Sequence, residues 1–523
     1  MTGFPVLTAI IVWPAVAALL ILAASIGGGE GRARTARTLA AIAMLIEIGL
    51  TALAIGPVLA LHAPGTYALS ENRVWVPYLG IDYRLGVDGI SLVLLLLTSV
   101  VTFVSMFTMH PEGDRVPQHL ALLLLTEAAS MGIFLSLDLV LFYLFWEAVL
   151  VPAYLLILGW GGANRVRAAQ RFLIMSLAGS LFMLVGIVAF ASAATARVGG
   201  FTFDLPTLVA LHVSLVGAGG VLAFIAFALA FAIKSGLFPV HEWLPDAYTE
   251  APMDTTILLS SVLSKAGIYA FLRFLIPLFP NLSARYSWIL ILLGVVAVLY
   301  GAFIALRQTD MKRILAYSSL SHMGLMVAGV FALDVIGTEG TVLQMVSHGV
   351  VIAAFFALVG ILEVRTSTRD IRAFGGMMSR APVLAGLGLV AAMAALGLPG
   401  LSSFAGEFLL LLGLFERNIA LGIIATFAVI LAAAYVLRLY QTAVHGDVSG
   451  RAVGTERVDL RARDYVALVP MLAVSLLLGI VPGLVTGRVI PALSNVSTPA
   501  AAKAVPTPQA LGRLEVSHGE GHA

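Results

Sequence analysis

The feature that most constrains this chain is a succession of apolar runs, each about 20 residues long and joined by short connections. A helix of that length spans the hydrocarbon core of a bilayer, which is about 30 Å thick. The runs number about 14, and 60% of the residues are hydrophobic whereas 11% are charged. The sequence therefore predicts an all-α polytopic membrane protein with about 14 transmembrane helices.

Basic residues divide the connections between these helices into two sets. The connections that follow odd-numbered helices are rich in arginine, and those that follow even-numbered helices are nearly bare. The basic residues of the odd set are Arg32, Arg34, Arg37, Arg165, Arg167, Arg171, Arg307, Lys312, Arg313, Arg365, Arg369, Arg372, Arg380, Arg451, Arg457, Arg461 and Arg463. By the positive-inside rule the odd connections face the cytoplasm, so both termini are expected on the periplasmic or outer side.

The composition excludes several classes of function. A formal net charge of +2 is too small for a nucleic-acid-binding surface. Without cysteine the chain cannot form disulfides, Cys-ligated iron–sulfur clusters or Cys-based zinc sites, which leaves haem held by His or Met as the simple redox option. No Gly-rich phosphate loop follows a strand. We therefore expect no cofactor in this chain and no nucleic-acid partner, with the lipid bilayer around it.

Two apolar spans are too long to cross a membrane as one straight helix. Residues 213–247 and 381–416 would each extend for about 50 Å at about 1.5 Å per residue. Both contain helix breakers near the middle, Pro239 in GLFPVHEWLP and Pro399 in GLPGLSSFAG. Each span is therefore predicted to be two half-helices around an unwound turn.

The two breaks suggest an internal repeat. Lys234 lies just before the first break and Glu407 just after the second, and broken helices at corresponding places in two halves mark inverted-repeat transporters. We expect helices 4 to 8 and helices 9 to 13 to be these repeats. The expected segments are 1–117 (helices 1 to 3), 118–278 (first repeat), 279–443 (second repeat), 444–490 (cytoplasmic loop and helix 14) and 491–523 (a disordered tail).

Lys234 and Lys265 stand inside apolar segments where a charge is unfavourable. A charged side chain at a helix centre costs from about 2.5 to more than 10 kcal/mol, so a partner or a function must compensate it. Lysine is rare in this chain, and unlike arginine it can release its proton when buried. Proton handling is therefore the hypothesis for both. Glu147, which lies within the apolar run before Trp160, is the preferred partner of Lys234 over a purely structural carboxyl.

His322 and His348 are predicted in adjacent helices among small polar residues. Histidine suits a proton relay because its unperturbed pKa lies near neutrality. The pair could connect Lys265 to Glu407 with the help of water. A hydrogen-bonded packing role is the alternative for either histidine alone, and it is the cluster that favours the relay.

Five other ionisable residues are weaker candidates. Glu127, Asp138 and Glu363 lie nearer to helix ends and are expected to reach water or cap a terminus. Arg273 and Arg438 are expected to anchor ion pairs, since a guanidinium does not release its proton in proteins.

Long motifs resemble the subunit M family of bacterial respiratory NADH:quinone oxidoreductase, complex I. They are WVPYLGIDYRLGVDGISL, FYLFWEAVLVPAYLLILGWGG, IKSGLFPVHEWLPDAYTEAP, DMKRILAYSSLSHMG and LPGLSSFAGEF, and the resemblance extends through helices 3 to 13. It implies an antiporter-like fold of fourteen helices, with two inverted five-helix repeats and with helices 7 and 12 discontinuous. The extended C-terminal tail departs from the family pattern.

The resemblance also implies roles for individual residues. Glu147 and Lys234 become the charge pair of a first half-channel, Lys265 and the two histidines the connection, and Glu407 the terminal residue. Glutamate rather than lysine at position 407 favours the M type over the related L and N types. The implied activity is proton translocation across the bacterial cytoplasmic (inner) membrane. NADH, FMN, iron–sulfur clusters and quinone would then lie in partner subunits, with L-like and N-like subunits as neighbours.

Two alternatives remain open at the level of sequence. A subunit of a multisubunit sodium/proton antiporter would use the same core without NADH, and neighbouring genes for nucleotide-binding and iron–sulfur subunits would distinguish the two. An inert membrane scaffold gives no reason for several buried charges, and it would be favoured if neutral substitutions at all of them left function intact.

Overall fold

The computed structural model describes residues 4–26, 31–63, 65–108, 115–213, 215, 217–445 and 459–493, without the side chains at 428, 490 and 493. Its long helices follow the apolar runs of the sequence. They are α1 (Val6–Ala23), α2 (Arg32–Ala52), α3 (Gly89–Met106), α4 (Val116–Leu135), α5a (Leu139–Ala148), α5b (Leu150–Trp160), α6 (Arg165–Val198), α7a (Gly217–Ser235), α7b (Trp243–Glu250), α8 (Met253–Leu278), α9 (Pro280–Arg307), α10 (Met311–Ala332), α11 (Val335–Thr366), α12a (Pro382–Ala395), α12b (Ser402–Arg417), α13 (Ile419–Val444), α14 (Ala462–Ile480) and α15 (Gly483–Leu493).

The described part of the chain confirms a polytopic membrane fold of the expected size. Thirteen helical spans are long and apolar enough to cross a bilayer, and α12a and α12b together supply one more. Both predicted discontinuities are present, between α7a and α7b and between α12a and α12b. The inverted relation between the two halves stays a prediction.

Each break has a local physical cause. Gly236 ends α7a with φ of 69°, and a Cβ there would lie 2.4 Å from Leu244 Cδ1, so glycine alone fits without a shift. The indole Nε1 of Trp243, the first residue of α7b, donates to the carbonyl of Ile233 at 2.8 Å and ties the two half-helices together. In the second break Gly397 and Gly400 have φ of 67° and 95°.

Three helices form the centre of the molecule. The apolar windows of α8 and α11 are completely buried by other parts of the chain, and that of α10 is 94% buried, whereas that of α13 is only 29% buried. A membrane helix that is shielded from lipid can hold polar groups, because protein partners replace the missing water. The central helices α8, α10 and α11 carry Lys265, His322 and His348 respectively.

Two features depart from the sequence expectations. Strands β1 (Ala68–Val76) and β2 (Ile81–Val87) form an antiparallel hairpin between α2 and α3, so the fold is not purely helical. Helix α8 contains two widened π-helical turns, Leu259–Leu263 and Phe271–Leu275, on either side of Lys265. The hairpin and the π turns follow from tertiary packing, which the apolar periodicity does not report.

Some expectations lie outside the described residues. Arg451 and Arg457 belong to a part of the chain that the structure does not describe, and so does the predicted tail, apart from residues 491–493 at the end of α15.

Candidate functional site: buried charges in the membrane core

Lys234 occupies the last turn of α7a, immediately before the break. Its side chain is 2% exposed, and its Nζ has no hydrogen-bond partner among the described residues. The Nζ lies 4.9 Å from the centre of the Trp146 ring, within the range of a cation–π interaction. The ammonium therefore faces an aromatic ring, and no carboxylate oxygen of the described residues forms a hydrogen bond with it.

Glu147 lies at the end of α5a, where α5a and α5b meet. It is half-buried, and its Oε1 has no hydrogen-bond partner in the described part of the chain. Its charge interacts with that of Lys234 across the interface between α5a and α7a, and Ser180 of α6 lies beside it. The expected Glu147–Lys234 pair is thus an electrostatic pair, and the structure gives it no direct hydrogen bond.

Lys265 is completely buried between the two π turns of α8. Its Nζ donates to the Ser260 carbonyl at 2.5 Å and lies 2.7 Å from His348 Nδ1. A π turn frees backbone carbonyls from the regular α-helical pattern, and π turns occur often at functional sites. The widened turn Leu259–Leu263 makes the Ser260 carbonyl available to the lysine.

His348, His322 and Glu407 continue from Lys265 in one series. The centres of the two imidazole rings are 5.1 Å apart, and His322 Nδ1 lies 3.3 Å from Glu407 Oε1. Gln344 Nε2 donates to the same carboxylate oxygen at 3.0 Å. All five of these side chains, including that of Gln344, are buried. Four helices thus bring a lysine, two histidines and a glutamate into a continuous row of titratable groups.

A small cavity adjoins the two histidines. Its volume is about 20 Å³, and Ser318 and Ser403 are among its lining residues together with both imidazoles. A polar cavity of about 10 to 15 Å³ can accommodate one water molecule. The cavity therefore has room for a water molecule near the point where the two rings approach each other.

The Glu147–Lys234 pair and the row from Lys265 to Glu407 do not contact each other directly among the described residues. In the described residues, no hydrogen bond links Lys234 to Lys265. Their helices nevertheless pack closely, because Gly267 of α8 lies against the backbone of Phe231 and Ser235 in α7a. The two lysines occupy neighbouring helices without touching.

Two residues of the site were missed by sequence reasoning. Trp146 supplies the ring that faces Lys234, and Gln344 holds Glu407. A signal existed for each. Trp146 directly precedes Glu147 in the sequence. Gln344 is four residues before His348, and this spacing places Gln344 and His348 on the same face of α11.

The weaker candidates behave mostly as expected. Asp138 caps α5a by accepting from the backbone N–H of Val140 at 2.8 Å, and Glu363, near the end of α11, lies 3.7 Å from Arg369. Arg273 donates to Asp88 at 2.5 Å as an ion-pair anchor. These contacts confirm the capping role of Asp138 and the ion-pair role of Arg273, and Glu363, whose side chain is 35% exposed, reaches water as expected.

Arg438 and Glu127 differ from their expected roles. The Arg438 guanidinium contacts the Leu306 carbonyl at the end of α9, so its partner there is backbone rather than a carboxylate. Glu127 lies well inside α4 and is completely buried, so it neither reaches water nor caps a terminus. The error arose because the start of α4 could not be located from the apolar pattern.

The sequence of this chain matches a known family of membrane proteins. Residues 136–432, which run from just before α5a to the middle of α13, match the family described as "NADH:quinone oxidoreductase/Mrp antiporter, TM". The chain belongs to this family. The matched region contains Glu147, Lys234, Lys265 and Glu407 as well as both histidines.

Relatives of this family cover nearly the whole chain. A protein named "NADH-quinone oxidoreductase subunit M" from Rhodobacter capsulatus is 38% identical over 489 residues, which cover 92% of this chain and 94% of the relative. A chain of respiratory complex I from Thermus thermophilus superimposes with a TM-score of 0.81 at 33% identity, covering 94% of this chain and 97% of that one. A chain of the Mrp complex from a Dietzia species, 21% identical, shares the fold with a TM-score of 0.79, covering 95% of this chain and 99% of that one.

Proposed function

We propose that this chain is a proton-translocating membrane-arm subunit of respiratory NADH:quinone oxidoreductase, and that six residues of its membrane core carry the proton. The six residues are Glu147, Lys234, Lys265, His348, His322 and Glu407. The observation that carries the proposal is the series of close approaches from Lys265 through the two histidines to Glu407; the helices that carry the lysine and the histidines, α8, α10 and α11, are almost completely buried. The relative named subunit M, 38% identical over 92% of this chain, supports the assignment to this enzyme.

The first half of the path uses Glu147 and Lys234. A buried ammonium that faces an aromatic ring and lacks a hydrogen bond to a carboxylate is held less firmly than one in a direct ion pair. A change in the position or charge of Glu147 therefore changes how strongly Lys234 holds its proton. Lysine can lose that proton, which arginine at the same position would retain.

The second half passes the proton through three transfers. Lys265 Nζ donates to His348 Nδ1 at 2.7 Å, so transfer leaves a neutral amine and an imidazolium. The proton leaves His348 from its other nitrogen, Nε2, which is buried and has no partner among the described residues. A water in the adjoining cavity would bridge it to His322, which then delivers the proton to Glu407.

We infer the membrane, the orientation and the partner subunits from the family and from the charge pattern. We place the chain in the bacterial cytoplasmic membrane, with its termini on the outer side and with the proton moving outward. The redox chemistry of NADH, FMN, iron–sulfur clusters and quinone lies in partner subunits, and this chain translocates protons without a redox centre of its own. Glu407 favours the M type, with L-like and N-like antiporter subunits as its neighbours in the membrane arm.

The test is the replacement of His348 by glutamine in the assembled complex. Glutamine can still accept a hydrogen bond from Lys265 but cannot carry a proton. Because one acid–base group contributes about 100-fold or more to a proton-transfer step, proton pumping per NADH oxidised should fall at least about 10-fold. The control is His62→Gln, at an exposed position in the connection after α2, which should pump normally.

Two results would contradict the proposal. Wild-type pumping in His348→Gln, measured with equal amounts of intact complex, would remove His348 from the path. Ion transport that requires sodium and proceeds without NADH would instead favour the sodium/proton antiporter.

A further inference from the structure

A pair of buried carboxyls lies outside the row of residues described above. Glu47 belongs to α2 and Glu127 to α4, and neither side chain has any exposed surface. The two helices pack directly against each other, and the two carboxyls interact electrostatically. Residues 80 positions apart in the sequence thus form one acidic pair within the first four helices.

The described surroundings offer these carboxyls no compensating charge. No lysine, arginine or histidine forms an ion pair with either of them in the described part of the chain. Glu47 Oε2 and both oxygens of Glu127 have no hydrogen-bond partner there. An ionised carboxylate that is buried without a partner loses several kcal/mol of solvation, so two of them side by side would be strongly unfavourable.

The neighbouring hydroxyls point to the same conclusion. Thr51 Oγ1 donates to the Glu47 carbonyl at 2.8 Å, and Thr102 Oγ1, which lies beside Glu127, donates to the Thr98 carbonyl at 2.8 Å. Each hydroxyl has a single proton, and its short hydrogen bond goes to a backbone carbonyl; Thr51 Oγ1 also lies 3.5 Å from Glu47 Oε1, at the outer limit of a hydrogen bond. Each hydroxyl oxygen can still accept a hydrogen bond from a carboxylic acid. It has no second proton with which to make a good hydrogen bond to a carboxylate.

We propose that Glu47 and Glu127 form a proton-binding site in which each carboxyl is held as a neutral acid. Two protons satisfy orphaned oxygen atoms, remove both buried charges and give the threonine hydroxyls donors to accept from. Among the described residues no third Asp, Glu, His or Cys side chain joins these two carboxyls in a group that could hold a metal ion. The site is separate from the row that ends at Glu407 and does not depend on the role of that row.

The experiment is infrared spectroscopy of the purified complex, which reports the C=O stretching band of protonated carboxyls directly. Difference spectra between wild type and the variants Glu127→Gln and Glu47→Gln should each show the loss of a protonated-carboxyl band. The control is Glu363→Gln, because the Glu363 carboxylate lies beside the Arg369 guanidinium and is expected to be ionised. Glutamine matches a neutral glutamic acid in size and polarity, so both variants should assemble and pump protons as the wild type does.

Each outcome decides the assignment. Loss of the band in both variants and not in the control supports a proton on each carboxyl. Loss in one variant alone would overturn the assignment for the other residue, and no loss in either would overturn the site. If a glutamine variant fails to assemble, the double variant Glu47→Leu, Glu127→Leu replaces the test: a neutral pair predicts assembly with an unchanged or higher thermal midpoint, and failure to assemble would refute it.

Discussion

Replacement of Gly267 by alanine tests how strictly proton transfer depends on the packing of α7a against α8. A Cβ at position 267 would lie 2.7 Å from Ser235 N and 2.8 Å from Phe231 O. Both are backbone atoms, which cannot rotate away as a side chain can. The substitution must therefore move α8 away from α7a, and with it Lys265 away from Lys234.

The size of the displacement follows from the contact distances. Ordinary van der Waals contact begins at 3.4 Å, so the helices must separate by about 0.7 Å at this point. Overpacking of this kind typically destabilises a protein by about 1 to 3 kcal/mol. A misplacement of about 1 Å can slow a positioned reaction by about 100-fold, so we expect pumping per NADH to fall by about 10-fold or more.

The assay combines function with stability in the same preparation. Proton pumping per NADH oxidised is measured in membranes with equal amounts of complex, and the thermal midpoint is measured after purification. The matched control is Gly386→Ala in α12a, where a Cβ would meet no atom within 4 Å. Because alanine favours a helix by about 1 kcal/mol over glycine, the control should pump normally with an equal or higher midpoint.

Wild-type behaviour of the Gly267→Ala variant would contradict this prediction. Gly267→Ala with the pumping ratio and the thermal midpoint of the wild type would mean that the close approach of α7a and α8 limits neither stability nor transfer. A lowered midpoint with normal pumping would mean that the close approach of α7a and α8 matters for stability but not for pumping. It would exclude a proton transfer between Lys234 and Lys265 that is sensitive to this spacing.

The remaining predictions concern charge and topology. Lys234→Arg should lower pumping per NADH nearly as much as Lys234→Ala, because arginine keeps the charge but retains its proton; wild-type pumping in the Arg variant would make Lys234 an electrostatic anchor. Glu407→Gln should impair pumping while Glu407→Asp retains part of it, and full coupled activity in the Gln variant would remove this residue from the path. A reporter inserted at Arg165 should be cytoplasmic and one at Gly199 should be outside, so finding both on one side would refute the orientation.

The two helix breaks are features that the sequence predicts by itself. The length of residues 213–247 exceeds a membrane thickness, and Pro239 and Gly236 lie where the helix must unwind, so the discontinuity is encoded locally. The same holds for the break around Gly400. Buried charges are also readable from sequence, because an ionisable residue in an apolar run is costly wherever that run packs.

The contacts between the buried ionisable residues could not be predicted from the sequence. Lys265 and His348 are 83 positions apart and their nitrogens are 2.7 Å apart, a contact that depends on how α8 packs against α11. Sequence reasoning expected Lys234 to pair with Glu147, yet the ring of Trp146 faces its ammonium, since a rotation of α5a by one residue decides which neighbour points inward.

The proximity of Glu47 to Glu127 is the contact that the sequence predicts least. Glu47 stands in an ordinary apolar helix near the N-terminus, and Glu127 could be assigned to a helix end when the boundary of α4 was unknown. The sequence alone determined the number of spans, both breaks and most of the residues at which charge enters the membrane. The tertiary structure decided which of those residues lie together, because the interhelical contacts join positions whose separation along the chain carries no periodic signal.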